Sequence, residues 1–134
     1  MLSKEPIYPL VFSSSLFLLP GTYALIYKQS AFSFITYSIS LASMNYWLEP
    51  NNNNKLFYDK YISYTGCFLY IVNSLYYIPT LQIKFTAISC VFSYYLFYKL
   101  SCFLLKNNND KWIYAHFIFH LLVNTSKWIL YMNI

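Results

Sequence analysis

Apolar residues fill this chain in long stretches separated by short polar breaks. No charged side chain occurs within residues 6–27, 29–48 or 61–83, and two further charge-free stretches, 85–98 and 112–126, end at Lys99 and Lys127. A helix rises about 1.5 Å per residue, so about 20 apolar residues cross a hydrocarbon layer of about 30 Å. The first three stretches meet that length, and the last two meet it if Lys99 and Lys127 extend their ammonium groups to the interface. The pattern predicts five spanning helices, roughly 8–27, 30–48, 61–78, 84–105 and 112–131. Tyr, Phe and Ile also favour strands, but a membrane strand alternates polar and apolar positions. The run Cys67-Phe68-Leu69-Tyr70-Ile71-Val72 does not alternate. The expected fold is all-α, a polytopic transmembrane helical bundle forming a single domain over residues 1–134.

Composition supports that class. The chain is 58% hydrophobic, 23% aromatic and only 10% charged, against about 25% charged residues in a soluble domain. Disordered chains are polar and poor in aromatics, which excludes that class. A disulfide scaffold is excluded by three Cys placed inside apolar stretches. The breaks are Lys28-Gln29-Ser30, the stretch from Glu49-Pro50 through Asn51–Asn54 to Lys60, Pro79 to Lys84, and Lys106 to Lys111. The Asn runs read as low-complexity loops. Pro20-Gly21 is expected to kink the first helix, because Pro lacks an N–H, with Ser13-Ser14-Ser15 available to the freed carbonyls. A cleaved signal peptide is a rival reading of residues 1–24, with Lys4 as its charged end.

Five crossings place the two termini on opposite sides. One face receives Lys4, Lys55, Lys60, Lys99, Lys106 and Lys111, and the other receives Lys28, Lys84 and Lys127. Six against three makes the N-terminal face cytoplasmic by the positive-inside rule. The formal net charge of +5 is then mostly topological and suits contact with anionic lipid. Membrane lipids and a second copy of the chain are the expected partners; nucleic acid is not, since no basic face exists outside the membrane.

Polar residues are expected to converge near the N-terminal face. Asn45 lies about one turn from it, with Ser43 and Ser40 deeper. Asp59 opens the third helix there. His116 and His120, the two His of the chain, enter from the start of the last helix, and a spacing of four puts both imidazoles on one side. Ionisable groups in membranes face the protein interior and often mark function. Each member also has a purely structural use. Asp59 can cap its helix, Asn45 and the serines can join helices by hydrogen bonds, and the imidazoles can bond to carbonyls. Two His at i and i+4 form a metal platform that needs at least a third ligand. Cys67 and Cys102 are conceivable additions, although lone Cys in bundles are usually packing residues. Trp47, Trp112 and Trp128 fall near helix ends, where the interface favours them. Asn124-Thr125-Ser126 matches a glycosylation acceptor but lies inside the last helix.

The order of Ser40 to Trp47 at a helix end, a Pro-containing loop, Asp59, and His116-x-x-x-His120 in the last helix carries a resemblance over most of the chain. It looks like the small uncharacterised multi-helix membrane proteins of large DNA viruses. More distantly it resembles the superfamily of alkaline ceramidases, progestin/adipoQ receptors and hemolysin III-like proteins. That resemblance implies a zinc held by His116 and His120, with Asp59 and Ser40 as catalytic residues that orient its water for amide or ester hydrolysis. The family's first His has no counterpart here, since Met44 and Asn45 occupy that place, and Asp59 would have to serve as the third ligand. Two of the family's seven helices are also missing.

The leading expectation is therefore a non-enzymatic membrane protein, structural or ligand-binding, in a host or virion membrane. Its cluster comprises His116, His120, Asp59, Asn45 and Ser43. The alternatives are a zinc-dependent lipid hydrolase and an ion-conducting oligomer, the latter requiring a polar stripe along one helix.

Overall fold

The computed structural model describes residues 5–134; Lys4, counted above in the charge balance and the signal-peptide reading, lies outside the described residues. Among these residues the chain is all-helical with no strand. Six helical segments follow in order: α1 (Tyr8–Ser15), α2 (Leu18–Ile26), α3 (Ser30–Leu48), α4 (Asn53–Tyr77), α5 (Leu81–Lys106) and α6 (Trp112–Tyr131). Two stretches, Tyr8–Ile26 and Leu81–Lys106, are long and apolar enough to cross a membrane.

The break between α1 and α2 lies one turn before Pro20. The Pro ring crowds the carbonyl four residues earlier, that of Leu16, and offers it no N–H. Leu16 accepts instead from the Leu19 N–H at 3.2 Å, a tighter turn. Ser13 and Ser14 both bond the Leu10 carbonyl, at 3.1 and 2.7 Å, and Ser15 bonds that of Phe12 at 2.7 Å. The serines thus satisfy carbonyls of α1 itself.

The first Asn run is a loop only in part: Asn51 and Asn52 precede α4 and Asn53 and Asn54 open it, while Asn107 to Asn109 lie in the connection after α5. The Asn52 side-chain oxygen accepts from the N–H groups of Asn54 and Lys55 at 3.1 and 3.2 Å, an N-cap that starts α4 eight residues earlier than the apolar pattern does. Charge spacing marks where the apolar stretch begins; the cap marks where the helix does. The preceding turn is closed by a Lys55–Glu49 ion pair of 2.9 Å, and the adjacent ammonium and its hydrogen bond lower the Glu49 pKa.

Two other helix ends share one geometry. After α2, Lys28 has φ 60, with Lys28 N–H bonded to Leu25 O and Gln29 N–H to Ala24 O at 2.7 Å. After α5, Asn108 has φ 51, with Asn108 N–H bonded to Leu105 O and Asn109 N–H to Leu104 O. Both are Schellman ends, which require a residue in the left-handed region. Asn accepts that conformation readily and Lys does not.

The chain divides into two compact units, one ending at Leu69 and one running from Tyr70 to Ile134; the boundary falls inside α4. In the first, α1 and α2 pack on α3. The Ile7 N–H bonds the Trp47 carbonyl at 2.9 Å, so the entry to α1 is tied to the end of α3. A Cβ at Gly21 would sit 3.0 Å from the Tyr37 ring, and one at Gly66 would overlap Ile39 Cδ1, so small residues set both approaches to α3. In the second unit α5 and α6 pack along each other. Ala87, Tyr94 and Ser101 are buried on α5, and their spacing of seven marks a single seam.

The interior takes in polar side chains beside its apolar core, and the surface carries large apolar ones. Ser14, Ser33, Thr36, Ser40, Ser43, Ser74 and Ser101 are buried, while Leu81, Tyr76, Phe85 and Phe34 are 73–81% exposed.

Candidate functional site

The residues singled out in the sequence fall into two groups, one in each unit. Asp59, Ser40, Ser43 and Asn45 belong to the first. Asp59 sits in the second turn of α4, inside the helix, and therefore does not cap it. Its carboxyl is within hydrogen-bonding reach of the Ser43 hydroxyl, while Oδ1 is buried with no hydrogen-bond partner among the described residues. Ser43 Oγ is 3.0 Å from Ser14 Oγ, which is 2.7 Å from the Leu10 carbonyl. Ser40 Oγ donates to the Ser14 carbonyl at 2.8 Å. Asn45 is exposed and stands apart from this buried group.

The Ser14 hydroxyl is placed to donate to the Leu10 carbonyl and to Ser43 Oγ, which leaves the Ser43 proton available to the Asp59 carboxyl. Burial is the larger influence on that carboxyl. It pushes the Asp59 pKa up from 3.8 to about 6, against the lowering effects of Ser43 and Lys60.

The second group lies on α6. His116 and His120 are both buried, and their ring centroids are 4.8 Å apart. His116 Nδ1 is 3.1 Å from Ser101 Oγ on α5, a partner the sequence reading did not include. The rings of Tyr98, Trp112 and Phe119 surround His116 at centroid distances of 6.3, 6.4 and 5.1 Å. The i, i+4 spacing thus brings the imidazoles together as expected, while Asp59 lies in the other unit. Among the described residues no three His, Cys, Asp or Glu side chains gather as metal ligands would. Cys67, Cys90 and Cys102 are free thiols.

Lys127 departs from its expected place. It does not reach a helix end but is 6% exposed, buried on α6. The reason is its register: seven residues beyond His120, it falls on the same inward face. Lys99 is exposed, with its ammonium 5.4 Å from the centre of the Tyr95 ring. Buried residues that sequence reasoning missed are Ser33, Thr36, Ser74, Ser101, Ser126 and Tyr131; a helical projection from the His pair would have marked Tyr131.

No protein-family model, curated protein or solved structure matches this chain.

Proposed function

We propose that the chain is a multi-pass integral membrane protein with a non-enzymatic role, built from five crossings and carrying its N-terminus on the cytoplasmic side of a host or virion membrane. The observation that supports it is the state of the surface hydroxyls. Thr22, Ser38, Thr65, Thr86, Ser93 and Thr125 each donate to the carbonyl four residues earlier in their own helix. In water such groups have solvent partners; in lipid every hydroxyl needs one from the protein. These residues lie on α2 to α6, and so not only on the two most apolar stretches. At about 1.5 Å per residue, α3, α4 and α6 are also long enough to cross most of the hydrocarbon.

The non-enzymatic reading is supported by Ser40, whose hydroxyl is committed to the Ser14 carbonyl, and by His116 Nδ1, which is engaged by Ser101. Single cysteines at Glu5, Asn108 and Asn133, in a chain with Cys67, Cys90 and Cys102 replaced by Ala, test the topology. Positions 5 and 108 label from the cytoplasmic side and 133 from the other. Labelling of 5 and 133 from one side, or release of the chain by alkaline carbonate, overturns the reading.

A further inference from the structure

One face of α6 is polar along nearly its whole length. His116, His120, Lys127 and Tyr131 are buried, and Asn124 buries Oδ1 with no hydrogen-bond partner among the described residues. Steps of four, four, three and four residues place all five on one side of the helix. From His116 to Tyr131 the stripe is about 22 Å long, most of the depth of a hydrocarbon core.

The neighbouring helices of the same unit extend it at both ends. Ser101 of α5 meets His116 Nδ1 at 3.1 Å. At the far end Tyr70 Oη and Ser74 Oγ are buried with no hydrogen-bond partner among the described residues, and the Tyr70 hydroxyl is within electrostatic reach of Cys90 and Tyr131. The acid of this unit, Asp110, is exposed in the connection between α5 and α6, as are Lys106 and Lys111.

Helix packing alone does not call for this choice of residues. Ser, Thr and Asn suffice to join helices, and a buried Lys is costly where an apolar residue of similar volume would serve. What His, Lys and Tyr share is the ability both to take up and to give up a proton. Ionisable chains of this kind inside membranes mark proton relays.

We propose that the unit Tyr70–Ile134 conducts protons along α6, between the Ser101–His116 end and the Tyr131–Tyr70 end. The proposal rests on the membrane reading above. A proton taken up by one ring nitrogen of His116 releases the proton on the other, and His120 repeats the exchange. Asn124 Oδ1 supplies the acceptor that a bridging water needs on the way to Lys127 Nζ. Lys127 passes a proton toward the Tyr131–Tyr70 cluster, and return of the rings to their first tautomer resets the path. Nothing is oxidised or reduced; one proton crosses per cycle.

The test uses the full chain in liposomes containing a trapped pH dye, with a potassium diffusion potential as driving force. Wild type is expected to change internal pH at least about tenfold faster than protein-free liposomes, at the same rate when sodium replaces the other external cations. His120→Phe and Lys127→Arg are expected to fall to the protein-free rate. Arg keeps the charge and the donors of Lys but does not release its proton, so a merely structural Lys127 would leave this variant conducting. Protease protection in the same liposomes establishes insertion of each chain, and Lys127→Met serves if Lys127→Arg fails to insert. Inserted wild type at the protein-free rate overturns the relay and leaves the membrane reading standing. Wild-type flux through Lys127→Arg or Lys127→Met also overturns the relay, whereas a chain that does not insert overturns both.

Discussion

Ser40 Oγ donates to the backbone carbonyl of Ser14 across the α1–α3 contact, at 2.8 Å. That carbonyl lies where the ordinary ladder of the first apolar stretch is interrupted, ahead of Pro20. Its bond from Phe17 N–H is long at 3.3 Å. A side chain on α3 therefore adds a shorter bond to a carbonyl at the end of α1.

Replacing Ser40 with Ala removes that donor from a fully buried site. The expected loss is about 1 kcal/mol of stability, seen as a lower unfolding midpoint in detergent. Ser38→Ala, whose hydroxyl bonds its own helix at the surface, should change it far less. A role for Ser40 in hydrolysis would instead appear as lost lipid turnover at unchanged stability.

Asp59 gives the first unit a pH dependence of definite sign. Its folded pKa of about 6 lies above the model-compound value of 3.8, so the folded state holds the proton more tightly. The stabilisation is full below about pH 4 and is lost as pH rises through 6. A shift of that size corresponds to at most about 3 kcal/mol. Asn at this position imitates the neutral acid, with one oxygen to accept from Ser43 and no charge to bury. Asp59→Asn should therefore remove the fall in unfolding midpoint between pH 4 and 7 and stabilise the chain at pH 8. An identical pH profile for variant and wild type would mean that burial of Asp59 does not set the pH dependence of this unit.

Lys28 occupies a left-handed position, φ 60, at the end of α2. A side chain with a Cβ is penalised there by about 1 kcal/mol, and Gly is not. Lys28→Gly should raise the unfolding midpoint, although the change removes a charge. Asn108→Gly, at the matching place after α5, should gain less because Asn tolerates this backbone.

Much of the architecture was legible because long uncharged apolar stretches imply helices of matching length. The positions of the polar breaks follow from that length rule, and the kink near Pro20 follows from the missing N–H of proline. The rule is silent on caps, and so it missed the Asn52 cap that draws Asn53 and Asn54 into α4. It was also misleading for Lys127, where proximity to a segment end outweighed register in the reading. The His116–His120 pair was legible from spacing alone. Ser101 was not, since pairing it with His116 needs the relative rotation of α5 and α6, which depends on the Ala87–Tyr94–Ser101 seam. Asp59 and Ser43 meet as their positions implied, whereas Asn45, two residues from Ser43, rotates onto the exposed side.

Gly66 provides a test in which two effects predict opposite signs. In a helix interior Ala is favoured over Gly by about 1 kcal/mol, so Gly66→Ala on an open face would stabilise the chain. Here the added Cβ would overlap Ile39 Cδ1 and approach Ile35 Cγ2 at 3.8 Å. Overpacking of that kind costs about 1–3 kcal/mol, so the net change should be destabilising. Shortening the opposing side chain should reverse it: Ile39→Ala combined with Gly66→Ala should be more stable than the two separate losses predict, with a coupling of at least about 0.5 kcal/mol. Unfolding midpoints of the four chains in one detergent measure the cycle. A stabilising Gly66→Ala, or strictly additive effects, would mean that the first half of α4 does not pack on α3 through this pair.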